Sequence, residues 1–168
     1  LVGDGVVEIM LLGQNVNSYG KDLDTPCTFA ELLTEVCKIE GLKRIRFMTP
    51  HPRDASRKLF DTMASHDKIA KQFHLPFQSG NDRILKAMNR HYDRAQYLEL
   101  IEYGRKLMPE IVFTSDVIVG FPGETEAEFE DTVSLIEQVR FDALFPFIYS
   151  PRPRPPRLCP NCRHSSDH

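Results

Sequence analysis

Along the first 150 residues, short apolar runs alternate with longer segments whose apolar positions recur every three or four residues. These are the two periods that separate buried strands from amphipathic helices. The runs Val6–Leu12, Arg44–Met48, Gln72–Pro76, Ile111–Val119 and Leu144–Tyr149 predict five strands. Between the first two, Thr28 and Glu31 have the spacing of a capping box, with Phe29, Leu32, Leu33, Val36 and Cys37 on one helical face and Gly41 at the exit. Asp54 is the expected cap of a helix carrying Leu59, Phe60 and Met63. Two further helices are expected over Asp82–Asn89 and Asp93–Met108, the second stopped by Pro109. Thr125 and Glu128 repeat the capping box ahead of Phe129, Val133, Ile136 and Val139.

Strands joined by helical crossovers run parallel, with the helices covering the sheet. The pattern therefore predicts an α/β fold, and two architectures fit it, a (β/α) barrel and an open sheet. In both, ligands are met by the loops that follow the strands. The first strand begins almost at once, which leads to the expectation that a preceding unit is missing.

Composition narrows the picture. A chain of 168 residues with 41% hydrophobic content supports one core. The net charge of -3 gives no global attraction to nucleic acid and argues against a stand-alone RNA binder. No run of about 18 apolar residues is present and the first residues do not have the form of a signal peptide. Four cysteines, two of them in Cys159-Pro-Asn-Cys162, do not resemble a secreted disulfide framework. The expectation is a soluble protein of a reducing, cytoplasmic compartment.

The strand-end loops carry the candidate chemistry. After the first strand, Gln14, Asn15 and Asn17 offer amide donors and acceptors, and both a ligand contact and a turn rich in turn-formers account for them. After the second, His51 sits between Pro50 and Pro52 with Arg53 directly after, in a rigid loop or an active site. The third strand leads into Gln78, Ser79 and Gly80, where a ligand hydroxyl can be met and the backbone can approach closely. His74 on the same strand is read as a satisfied core residue. In the fourth, Ser115 and Asp116 interrupt an apolar run, and Asp116 either caps backbone or accepts a hydrogen bond from a ligand. Gly120, Pro122, Gly123 and Glu124 then turn the chain into a helix N-terminus, where unpaired amides are expected. The spacing is not that of the dinucleotide fingerprint.

Five segments carry a resemblance: Leu-Leu-Gly-Gln-Asn-Val-Asn (11–17), Arg-Phe-Met-Thr-Pro-His-Pro (46–52), His-Leu-Pro-Phe-Gln-Ser-Gly-Asn-Asp-Arg-Ile-Leu (74–85), Ser-Asp-Val-Ile-Val-Gly-Phe-Pro-Gly-Glu-Thr (115–125) and Phe-Ile-Tyr-Ser-Pro-Arg (147–152). Together they resemble the methylthiotransferases of the radical S-adenosylmethionine superfamily, and the Gln-Asn-Val-Asn and Gln-Ser-Gly versions are most similar to the tRNA branch. The resemblance implies a partial (β/α) barrel with parallel strands, lacking its first βα unit. It implies a [4Fe-4S] cluster that cleaves S-adenosylmethionine to a radical, and addition of a methylthio group to C2 of N6-isopentenyladenosine in tRNA. A second [4Fe-4S] cluster would supply sulfur. By position, it places Gln14 and Asn15 near the methionine end of S-adenosylmethionine, Gln78 and Ser79 near its sugar, and Ser115, Asp116, Gly120, Pro122, Gly123 and Glu124 near ribose and adenine. The expected partners are tRNA, through the full-length enzyme, and S-adenosylmethionine, with no membrane and a monomeric state.

The chain departs from that family at two places. Family members hold the radical cluster with Cys-x3-Cys-x2-Cys, and no such trio occurs; Cys27 and Cys37 read as structural. Residues 1–153 are therefore expected to form part of a radical domain that is inactive alone, with no catalytic or metal-binding residue of its own. Residues 154–168 diverge and are expected to be a disordered tail, although Cys159, Cys162, His164 and His168 have donor chemistry for zinc. Two other functions stand beside this one: a noncatalytic adenosyl-ligand module, and an unrelated barrel hydrolase using His51, His74 and Asp116.

Overall fold

The structure is a computed structural model that describes residues 1–13, 15–20, 23–24, 26–48, 52 and 55–151. Its strands are β1 (Glu8–Leu11), β2 (Arg44–Phe47), β3 (Gln72–His74), β4 (Val112–Val119) and β5 (Ala143–Ile148). Its helices are α1 (Phe29–Cys37), α2 (Arg57–Ser65), α3 (Asp82–Ala87), α4 (Arg94–Leu107) and α5 (Glu126–Val139). Each of the five expected strands and five expected helices is present, and every strand pair is parallel.

Strand order separates the two architectures left open by the sequence. β1 pairs with β2, β3 with β4, and β4 with β5. Between β2 and the residues leading into β3, Ile45 N–H donates to Lys68 O at 2.8 Å and accepts at its carbonyl from Ala70 N–H at 3.0 Å. Neighbours in space thus follow chain order, without the reversal that marks a doubly wound open sheet. A single cavity of about 190 Å³ is lined from every strand, by Met10, Arg46, Gln72, His74, Thr114 and Phe145 among others, which shows that the sheet curves around a common concave side. The fold is a partial barrel.

Alternation along the strands assigns the two faces. Ile45, Phe47, Phe73, Phe113 and Val117 are buried on the convex face beneath the helices. There Phe73 meets Phe60 of α2 at 4.8 Å between ring centres and Phe47 at 5.8 Å, and Phe47 meets Phe29 of α1 at 5.2 Å. The opposite positions Met10, Phe145 and Phe147 are exposed on the concave side. Pro146 has no N–H to donate and lies in β5, which pairs with β4 alone among the described residues.

Both expected capping boxes form, at Thr28–Glu31 and Thr125–Glu128, and a third joins Asp93 to Gln96 at the start of α4. Three local expectations change. The cap of α2 is Ser56, whose hydroxyl accepts from Leu59 N–H, whereas Asp54 lies outside the described residues. Gly41 lies in the turn toward β2 with φ of 82°, while the cap of α1 is Lys38. Of the expected apolar face of α5, Val139 is buried and Ile136 packs half-buried against the core, whereas Phe129 and Val133 are half-buried and the other fully buried positions are Thr132 and Leu135. Thr132 faces inward because its hydroxyl accepts the amide of Gly80 at 2.9 Å. Among the described residues no helix is long and apolar enough to cross a membrane.

Candidate functional site

Ser115 and Asp116 are neighbours on β4, so the pleat sends them to opposite faces. Ser115 is fully buried on the convex side. Its hydroxyl donates to Leu75 O at 2.7 Å and accepts from Phe77 N–H at 3.0 Å. These contacts join β4 to the chain leaving β3 where Pro76 has no N–H to offer. The side chain that was expected near the cofactor's ribose and adenine is thereby committed to the fold. Tyr97 of α4 also donates to Leu75 O at 2.7 Å, and its burial pushes the phenol pKa up.

Asp116 is on the concave side with its side chain 28% exposed. His74 Nε2 lies 3.5 Å from its Oδ2, and His74 Nδ1 lies 2.9 Å from Thr114 Oγ1. His74 is satisfied, as expected of a core histidine, but it faces the concave side and not the core.

The loop after β3 also divides. Gln78 adopts φ of 68°, and Ser79 N–H donates back to Phe77 O at 2.8 Å, a three-residue turn of the strained type. Gln78 N–H donates to Asp116 O at 3.0 Å, and Gln78 O accepts from Ile118 N–H at 2.9 Å, so β4 holds the turn from both sides. Ser79 is buried and its hydroxyl accepts from Asn81 N–H at 3.2 Å. Gly80 packs against α5, where an added Cβ would come within 2.6 Å of Asp131 O and Thr132 Cα. Close approach at Gly80 therefore serves a helix, and Ser79 turns toward the same contact, because the loop must clear α5 before starting α3.

The turn after β4 differs most from expectation. Gly120 and Gly123 have φ of 70° and 76°, the backbone region that requires glycine there. The amides expected to be unpaired are occupied: Glu124 Oε2 accepts from Gly120 N–H at 2.7 Å and from Phe121 N–H at 3.2 Å. Pro122 is exposed at the tip. The N-terminus of α5 is also closed, since Glu128 accepts from Thr125 N–H at 2.8 Å and is held by Arg83 of α3. Arg83, with Thr125, holds the Glu128 carboxyl down at about 2. The turn has no vacant nest for an anion. Beside it, Ile118, Phe147, Ile148, Tyr149 and Ser150 line an open cavity of about 470 Å³, with the Phe121 and Tyr149 rings 5.1 Å apart in an edge contact. Spacing alone did not reveal this apolar wall, although the alternation of β4 and β5 implies it.

Asn15 is the N-cap of a short helical turn and donates from Nδ2 to Ser18 Oγ at 2.9 Å. Gln14, His51, Arg53, Cys159, Cys162, His164 and His168 lie outside the described residues. Cys27 directs its thiol to Thr28 O at 3.6 Å, and Cys37 is buried on α1, where desolvation pushes its pKa up. Cys37 packs in the core as a structural residue. Among the described residues, no group of three or more His, Cys, Asp or Glu can hold a metal ion, so these residues by themselves do not fit a [4Fe-4S] cluster.

The sequence model of the radical S-adenosylmethionine superfamily matches residues 2–136. The chain belongs to that superfamily. It is 55% identical over 152 residues to the tRNA-2-methylthio-N(6)-dimethylallyladenosine synthase of Clostridium botulinum strain Hall, across 90% of this chain and 34% of the relative. The synthase of Alkaliphilus oremlandii is 52% identical over 152 residues, covering 90% and 32%. The chain thus spans about a third of the length of the curated relatives it matches. Two solved structures share the fold at 14% identity. The radical S-adenosylmethionine methyltransferase TsrM of Kitasatospora setae, with cobalamin and a [4Fe-4S] cluster bound, has a TM-score of 0.67 over 88% of this chain and 28% of its own. Streptococcus suis SuiB bound to S-adenosylmethionine has a TM-score of 0.54 over 88% and 31%. Membership in this superfamily sets aside the reading as an unrelated barrel hydrolase.

Proposed function

We propose that this chain is the S-adenosylmethionine-binding portion of a tRNA methylthiotransferase, a cytoplasmic enzyme acting as a monomer on N6-dimethylallyladenosine in tRNA. The observation that carries the reading is the 55% identity over 152 residues to a synthase of that name. The barrel's geometry supports it, since an adenosyl group requires an apolar wall for the base and hydrogen-bond acceptors for its donors. Ile118, Phe147 and Tyr149 supply the wall, and Asp116 is an ionisable acceptor on the same concave side.

The chain's own residues bind and orient. The turn Gly120–Glu124, closed by its internal carboxylate, presents a rigid edge without a vacant anion site. Gln78, held by β4 at both its N–H and its carbonyl, brings its side chain to the strand's carboxyl end in a fixed backbone conformation. Asn15 and Gln14 are assigned to the methionine end. Ser79 and Ser115 support the loop and the strand from behind. Bound S-adenosylmethionine supplies the adenosyl group on which the superfamily's radical chemistry depends. Clusters, sulfur delivery and tRNA contact are assigned to the full-length protein, and residues 154–168 to a tail outside this domain.

Calorimetric titration of the folded 168-residue chain with S-adenosylmethionine tests the reading. Saturable heat that S-adenosylhomocysteine displaces supports it, and a folded chain that takes up neither ligand removes it. The noncatalytic adenosyl-ligand module shares this binding prediction; it is favoured instead if a version restored to the relatives' full length binds the ligand and never modifies tRNA.

A further inference from the structure

The concave side carries a polar relay whose Thr114–His74 contact no sequence motif assigned. Thr114, His74 and Asp116 converge there from two adjacent strands, with Thr114 Oγ1 2.9 Å from His74 Nδ1 and Asp116 Oδ2 3.5 Å from Nε2. The two ring nitrogens have different neighbours, and the tautomer that suits both has its proton on Nε2. With the Thr114 hydroxyl donating to Nδ1, the ring proton sits on Nε2 and faces the carboxylate. The reverse assignment would aim a bare lone pair at an ionised oxygen.

The imidazole has little freedom in this position. Its side chain is only 15% exposed, and its ring makes an edge contact with Phe145 at 6.4 Å between centres. Asp116 has no other side-chain partner among the described residues, and 3.5 Å is longer than a direct hydrogen bond. The Nε2 edge thus faces the carboxylate at close electrostatic range without taking up its hydrogen-bond acceptor capacity. A partly exposed carboxylate in that condition, on the concave side next to His74 of the strand-lined cavity, is suited to an incoming donor.

We infer that His74 is a positioning residue: held by Thr114, it sets the Asp116 carboxylate to accept a hydrogen bond from an O–H or N–H donor of an adenosine-type ligand. The inference rests on the reading that the concave side takes an adenosyl group, and goes beyond it by assigning a role to His74 and Thr114. Two sources offer the donor, the ribose hydroxyls and the exocyclic amine of the base.

The test is calorimetry on the full 168-residue chain, with thermal melting as a fold control, using wild type, His74→Phe, His74→Gln, Asp116→Asn and the double variant His74→Phe/Asp116→Asn. With S-adenosylhomocysteine, Asp116→Asn and His74→Phe each weaken binding by about tenfold. The double variant is no weaker than Asp116→Asn alone, since His74 acts through the carboxylate. His74→Gln, which can place an amide N–H near Nε2, returns to within about threefold of wild type. Adenosine, 2′,3′-dideoxyadenosine and N6,N6-dimethyladenosine identify the donor: the probe that lacks it binds wild type more weakly and is unaffected by His74→Phe. Equal sensitivity of all three probes to His74→Phe, or additive losses in the double variant, overturns the inference in favour of a structural histidine. Unchanged S-adenosylhomocysteine affinity in His74→Phe overturns this inference and leaves the cofactor reading standing. Absence of binding by folded wild type removes both.

Discussion

Glu124 Oε2 stands 2.7 Å from the Gly120 amide and closes the turn after β4 with the chain's own carboxylate. A helix-approaching glycine turn is commonly an anion site, because its amides point outward and lack partners. Here the anion is built in. Replacing Glu124 with Ala removes a charge-assisted pair of contacts and is expected to destabilise the domain by about 1–2 kcal/mol. It also exposes two amides, so millimolar phosphate should raise the melting temperature of Glu124→Ala and leave that of wild type unchanged. A variant whose melting temperature does not respond to phosphate would show that the amides are not released.

The capping boxes make stability depend on pH. Glu128, held by Arg83 and then Thr125, has its pKa lowered from 4.5 to about 2, and Glu31, held by Lys58 and Thr28, is lowered likewise. A depressed carboxylate contributes stability that is fully present above its unfolded value and is lost as pH falls through the folded one. Urea midpoints of wild type should fall between pH 4.5 and pH 2, and Glu128→Gln should fall less across that window. Parallel curves for the two proteins would exclude Glu128 as a source of the acid sensitivity.

Gly80 is fixed by the helix beneath it. Gly80→Ala places a Cβ within 2.6 Å of backbone atoms of Asp131 and Thr132, which cannot move without shifting α5. A loss of about 1–3 kcal/mol in chemical denaturation is expected. A variant as stable as wild type would contradict the close packing of this loop on α5.

Gln78 is held in a backbone conformation that glycine adopts more readily. Gln78→Gly relieves about 1 kcal/mol or more of strain and adds about 0.5–1 kcal/mol of chain entropy cost, so its stability should remain within about 1 kcal/mol of wild type. Its affinity for S-adenosylmethionine should nonetheless fall, because the carboxamide is gone. A stability loss well beyond that range, with affinity intact, would assign Gln78 to the fold.

The order of elements was legible because two signals agree along the chain: apolar period, and capping residues at Thr28, Asp93 and Thr125. Strand order resolved barrel against open sheet, since both arise from the same alternation and only pairing across β2 and the Ile69 region distinguishes them. The site was legible as a set of loops and less so as side chains. Ser115 and Asp116 look alike as polar interruptions of a strand, yet adjacency alone requires that they face opposite ways. Ser79 and Gly80 resemble ligand-loop residues, but Thr132, a polar residue on the buried face of α5, marks where they pack. Glu124 follows Gly120 by four residues, a spacing from which a carboxylate can reach back to cap the turn.

The central claim is that the strand ends of this barrel hold an adenosyl group, and the most direct measurement is amide chemical-shift mapping of the 168-residue chain during titration with S-adenosylmethionine. The predicted result is saturable shifts at Ile118, Phe147 and Tyr149, which line the cavity after β4 and β5, and at Phe121, whose ring meets Tyr149, with α2 and α4 undisturbed. A folded chain whose shifts at those four amides do not change, or whose changes lie on α2 and α4, would contradict the account.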